Sequence, residues 1–126
     1  MPDTTTFPSP EHAAQALAAG TVKPGPASSG QRVCLGLSGK GWFNLTWSAS
    51  AIGTYDWIGL YENSSKSDGD YVGGSNWQWA SKASSYVTST AAQANYESRY
   101  LVWDSPQGKY VSVARSGGFP GQQCSS

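Results

Sequence analysis

Residues 95–116 read NYESRYLVWDSPQGKYVSVARS. Two alternating runs flank a turn. In the first, Tyr96, Ser98, Tyr100 and Val102 share one face, and Glu97, Arg99, Leu101 and Trp103 share the other. This is the period of two that a strand imposes on its side chains. SPQGK then offers Pro and Gly for a hairpin turn, and KYVSVARS returns with Val111, Val113 and Arg115 on one face. Two alternating runs joined by a Gly-containing turn predict an antiparallel hairpin.

The same period continues towards the N-terminus. YDWIGLY (residues 55–61) is a short, nearly continuous apolar run, fit for a central strand. In GWFNLTWSA, Phe43, Leu45 and Trp47 face one way, with Asn44 and Thr46 opposite; in RVCLGL, Val33, Leu35 and Leu37 share a face. ASSYVTS is a weaker candidate. Short strands, regular turns and no long helix predict an all-β, antiparallel, immunoglobulin-like sandwich over residues 31–126. No internal repeat of propeller or solenoid length is visible.

Residues 1–30 form an arm of another character. SPEHAAQALAAG predicts a short helix. Ser9 suits the N-cap, Pro10 the first helical position, Glu11 the positive end and Gly20 the stop. TVKPGPASSG follows as a Pro/Gly/Ser linker. The arm is expected either to hang loosely or to pack its helix on the sandwich. His12, the only histidine, lies in it.

The chain has 126 residues, 8 basic and 8 acidic, with a formal net charge of zero. The length suits one domain. Balanced charge argues against an electrostatic nucleic-acid binder and against a polybasic membrane-surface module. No apolar run approaches the roughly 18 residues of a transmembrane helix. MPDTTTFPSPEH lacks a basic n-region and an apolar h-region, so no signal peptide is expected as written. That leaves a cytoplasmic protein or a mature secreted chain. With 6 Trp, 7 Tyr and 15 Gly, the chain suits a β-protein and also a sugar-binding surface.

Two cysteines, Cys34 and Cys124, stand near the two ends of the β-domain. They are two buried thiols or one disulfide; closing a loop of about 90–100 residues contributes up to about 4–5 kcal/mol in the loop-entropy model. One His and two distant Cys do not make a zinc site.

Residues 68–82, DGDYVGGSNWQWASK, carry acids, glycines, amides and three large aromatics, with almost no aliphatic side chain. They lie in a loop of about twenty residues, a length that is usually functional when ordered. A pyranose presents C–H groups on one face and hydroxyls at its edge. Tyr71, Trp77 and Trp79 would stack on the first, and Asp68, Asp70, Asn76 and Gln78 would hydrogen-bond the second. Trp77 and Trp79 are two apart, so on an extended segment they share a side, as a platform or as a seal on the core. Arg115 is either a rim ligand or a strand-end Arg that covers the core with its stem. Asp68 and Asp70 flank Gly69, which reads as a plain turn or as a pair of calcium ligands. NLT at Asn44 and NSS at Asn63 fit the N-glycosylation sequon.

NLTWSA, YDWIGLY and YESRYLVWDSPQGKYVSVARSGGF together resemble the SKICH-type immunoglobulin-like domain. That domain occurs beside inositol-phosphatase domains and at the front of some autophagy receptors. Its Asp-Trp-(Ile/Val)-Gly run falls on Asp56, Trp57, Ile58 and Gly59. Its last hairpin falls on Tyr96, Tyr100, Gly108, Val111, Val113, Ser116 and Phe119. The likeness spans residues 31–119. It implies a sandwich fold and a role in protein interaction or membrane recruitment rather than catalysis.

Catalysis has little to work with. There is no Gly-x-Ser-x-Gly elbow and no His outside the arm. Asp56, Glu62, Asp68, Asp70, Glu97 and Asp104 supply carboxylates, but no spacing singles out an acid–base pair. The leading expectation is a non-enzymatic, lectin-like protein without a required cofactor, calcium aside. Its partner would be a glycan or glycoprotein, and oligomerisation would raise its avidity. A recruitment domain and a small membrane-active toxin or defence protein are the alternatives.

Overall fold

The computed structural model describes residues 7–121 together with 124 and 125. One helix, α1 (Pro10–Ala19), precedes β1 (Arg32–Leu37), β2 (Trp42–Ser48), β3 (Trp57–Tyr61), β4 (Trp77–Trp79), β5 (Ser85–Ala91), β6 (Glu97–Asp104), β7 (Lys109–Arg115) and β8 (Cys124–Ser125). The strands form two sheets, ordered β5-β2-β1-β8 and β4-β3-β6-β7, and every pairing is antiparallel. Three strands β1-β2-β5 against β4-β3-β6-β7 is the A-B-E against C′-C-F-G arrangement of an immunoglobulin-like sandwich, with β8 added outside the first strand. Among the described residues no helix is long and apolar enough to cross a membrane.

β3 explains the apolar run. It is central, and all five of its residues are buried. Ile58 and Leu60 face the space between the sheets, where they meet Val33, Leu35, Phe43, Leu45, Trp47, Tyr100 and Ala114. Trp57 and Tyr61 face the other way. They join Trp79, Leu101 and Tyr110 in a second cluster that Ala13 and Leu17 of α1 complete. The arm's helix is therefore packed on the outer face of the second sheet. Its Ala side chains let the helix axis approach closely, so a stretch with little to bury still caps an aromatic layer. Ser9 Oγ accepts the His12 N–H, and Gly20 closes the helix at φ 76°, as the capping residues predict.

β7 departs from its sequence pattern. Leu101 pairs with Ser112 and Tyr100 with Ala114, so the ladder slips one residue at Val113. This is a β-bulge, in which two residues oppose one. Val111 lies on the side of Val102, while Arg115 pairs with Arg99 on the outer side. The expectation that Val111, Val113 and Arg115 share a face is thus corrected: the bulge changes the phase between Val111 and Arg115. Val113 itself is exposed.

The strand tryptophans divide. Trp47 and Trp57 are buried, but Trp42 is 38% exposed, on the outer face of the first sheet. β8 sets Cys124 opposite Cys34 in the backbone register.

Candidate functional site

The outer face of the second sheet carries the aromatics. Gly59 makes room for them. A Cβ there would lie 2.5 Å from Trp57 Cζ3, so the benzene edge of the indole rests on the glycine. Trp57 meets Tyr71, Trp77 and Tyr110 edge-on, with ring centroids 5.2, 6.5 and 5.9 Å away. Edge-to-face contact is the favoured geometry for such rings. Trp77 in turn meets Trp79 at 4.9 Å.

The loop after β3 folds back over this face and is held by a buried cation. Arg99 is fully buried. Its Nε donates to Glu97 Oε2 at 2.6 Å, its Nη1 to Asp68 Oδ1 at 3.0 Å, and its Nη2 to the carbonyls of Asn63 and Ser64 at 3.3 Å each. The guanidinium also lies 4.0 Å from the centre of the Tyr61 ring. A planar fork with five donors suits such a multiple grip; a lysine would not. Arg115 Nη1 reaches the same Glu97 oxygen at 3.4 Å and Ser64 O at 3.2 Å. Asp68 Oδ2 accepts the Ser112 N–H at 3.0 Å, which caps a free donor on the edge strand β7. Two arginines and two carboxylates balance, as burial requires.

Between the start of α1, this loop and β7 lies a cleft of about 540 Å³, within the range of small-ligand sites. Trp57, Tyr71 and Tyr110 form its aromatic part. Glu11, Lys66, Asp68, Lys109 and Arg115 supply its polar part. Tyr71 Oη donates to Glu11 Oε1 at 3.2 Å. Burial first, and then the Glu11 carboxylate, push the Tyr71 hydroxyl up to about 12. Burial likewise raises Tyr61 and Tyr110 well above the ordinary phenol value. All three hydroxyls stay neutral donors at physiological pH. Trp57 is 2% exposed, and among the described residues its Nε1 has no hydrogen-bond partner. A buried donor without an acceptor is rare and calls for an explanation.

The sequence-predicted residues separate into two groups. Asp68, Tyr71 and Arg115 come together in the cleft. The other five do not line it. Trp79 is 2% exposed and belongs to the core cluster. Trp77 is half-buried against Trp57 and Trp79. The two tryptophans do share a side of β4, and that side faces the aromatic layer. Asn76 is buried, with Oδ1 accepting from Ser89 N and Thr90 Oγ1 and Nδ2 donating to Gly73 O. Gln78 Oε1 accepts from the Trp79 N–H. Asp70 is exposed and accepts from Ser67 Oγ at 2.7 Å. For calcium, both oxygens of Asp68 are taken by protein donors. Among the described residues no group of three His, Cys, Asp or Glu is placed to hold a metal ion. Asp56 is also occupied, accepting from Gly53 N and Tyr100 Oη at 2.9 Å each.

Trp57, Tyr110, Glu11, Lys66 and Lys109 were not singled out by sequence. Trp57 and Tyr110 sit in strands and read as core; the other three sit on the arm, a loop and a turn, far apart in the chain. The Trp57–Gly59 spacing is the one signal, since a glycine two residues from a Trp on a strand leaves the space its ring needs. No family model, no curated protein and no solved structure matches the chain.

Proposed function

We propose that the protein is a non-catalytic carbohydrate-binding protein whose sugar lies in the cleft between α1, the 62–71 loop and β7. One observation carries this reading: an aromatic-walled cleft with polar heads at its rim is lined in part by Trp57, whose buried indole N–H lacks an acceptor among the described residues. A sugar ring supplies apolar C–H groups for Tyr71, and oxygen acceptors for Trp57 Nε1 and the rim donors. The carboxylates nearest the cleft are tied to arginines, backbone N–H groups or a phenol, which suits orientation of a ligand better than acid–base chemistry. A Cys34–Cys124 bridge belongs to the same reading, on the register that sets the two residues opposite each other.

A glycan array with wild type and Tyr71→Ala tests it. Binding should fall about tenfold or more in the variant, from loss of one stacking aromatic, with circular dichroism unchanged. A folded wild type that binds no glycan would sink the reading.

A second reading is protein recruitment, as the SKICH resemblance implies. It is favoured by the outer face of the first sheet, where Trp42 and Val87 are exposed. On that reading Trp42→Ser removes partner capture while Tyr71→Ala leaves it intact.

A further inference from the structure

The cleft's charges are not balanced in the way the whole chain is. Among its acids, Asp68 has both oxygens engaged, by Arg99 and by the Ser112 N–H. Glu11 accepts from Tyr71. Among its bases, Arg115 is 43% exposed at its side chain and spends only Nη1 on Glu97 and Ser64. Among the described residues Lys66 and Lys109 have no ion-pair partner. The Arg99, Arg115, Glu97 and Asp68 charges cancel, so Lys66 and Lys109 face Glu11 alone. Trp57, one of the cleft's lining residues, adds a buried donor without a partner among the described residues, since an indole N–H cannot accept. Spare donors and spare positive charge therefore meet on one aromatic wall.

We infer that the ligand of this cleft is an acidic saccharide, whose carboxylate or sulfate is held by Lys66, Lys109 and Arg115 while its ring stacks on Tyr71. This rests on the carbohydrate-binding reading and sharpens it, because net neutrality of the chain points instead to neutral glycans. Aromatic stacking beside cations also fits single-stranded nucleic acid. The size favours the sugar: about 540 Å³ lined by α1, the loop and β7 suits a small ligand, whereas a strand-binding surface needs a groove along which a backbone can run.

The test pairs acidic oligosaccharides, carrying uronic acid, sialic acid or sulfate, with their carboxyl-reduced or desulfated neutral forms. A single-stranded oligonucleotide serves as the competing anion. Proteins are wild type, Lys66→Gln/Lys109→Gln and Glu11→Gln, read by calorimetry. At least one acidic member should bind about tenfold or more tighter than its neutral form, the scale of a hydrogen bond to a charged group. That advantage should vanish in the double variant, shrink with added salt and grow in Glu11→Gln. The three substituted side chains reach the cleft from the first turn of α1, a loop and the first residue of β7, and circular dichroism verifies that the variants fold. Equal binding of acidic and neutral partners would overturn the acidic inference and leave the lectin reading standing. Binding of no saccharide would overturn both. Oligonucleotide binding tighter than any saccharide, lost in the same double variant, would also overturn both.

Discussion

Arg99 and Arg115 stand directly opposite each other across the β6–β7 ladder, on the same outer face. Two like charges in that position destabilise a sheet unless something lies between them. Glu97 Oε2 does, at 2.6 Å from one guanidinium and 3.4 Å from the other. The two arginines nevertheless differ in burial, and so in consequence. Removing Arg99 leaves buried Glu97 with only the longer contact to Arg115, strips Asp68 Oδ1 of its cation and releases the loop carbonyls. Arg99→Met should cost about 3–5 kcal/mol. Arg115→Met, at a half-exposed site, should cost less than about 1 kcal/mol. Urea midpoints of the two variants check this. Equal losses would show that the layer is not anchored by Arg99.

Gly59→Ala sets two effects against each other. Replacing Gly stabilises by about 0.4–1 kcal/mol through the unfolded chain where the native backbone allows it. Against this, the new methyl would overlap the Trp57 ring, which Tyr71, Trp77 and Tyr110 prevent from retreating. Overpacking of that kind costs about 1–3 kcal/mol. We expect a net loss of stability, with altered tryptophan fluorescence and weakened ligand binding. A variant as stable as wild type with unchanged emission would mean that the indole has room to move.

Stability should fall in alkali. Tyr71 is held near 12 in the fold, against 10.0 for the free side chain, and burial also raises Tyr61, Tyr100 and Tyr110. Between these values the unfolded chain has lost protons that the folded chain keeps, so the slope of stability with pH is negative. The contribution is complete below about pH 10 and is lost as pH climbs through the folded values. Urea midpoints from neutral pH to about pH 12 should be level and then drop, less steeply for Tyr71→Phe. A midpoint that does not move would contradict the burial of these hydroxyls.

If Cys34 and Cys124 are bridged, a strand of two residues is tied to the edge of the first sheet across a loop of about 90 residues. Reduction should then lower the stability by up to about 4–5 kcal/mol. Intact mass after alkylation, with and without prior reduction, decides whether the bond exists. Two alkylated thiols without reduction would remove it.

The sandwich was legible because strands announce themselves. WIGLY carries no charged or amide side chain since it lies between two packed faces, and Ser9, Pro10 and Gly20 bound the helix by chemistry local to them. The site was less so. The bulge at Val113 is invisible in KYVSVARS, because a one-residue slip is set by pairing with β6 rather than by its own residues. Without it Arg115 reads as a neighbour of Val111 instead of a partner of Arg99. Glu97 and Arg99 look like the solvent side of β6 until the 62–71 loop covers them, and no local pattern reports that cover. Trp79 and Asn76 have the composition of a sugar site, but pairing of β4 with β3 turns one into core and the other into a loop anchor.

The Trp57 indole N–H is the most direct reporter of the account. Trp57 lines the cleft, its buried N–H has no partner among the described residues, and it should gain one when a sugar binds. The measurement is a nitrogen–proton correlation spectrum of the six tryptophan side chains during titration with the best-binding oligosaccharide, with Trp57→Phe used for assignment. The Trp57 resonance should move most, Trp42 should stay unmoved, and Tyr71→Ala should abolish the change. A saturable shift confined to Trp42, or binding that leaves Trp57 untouched, would contradict it.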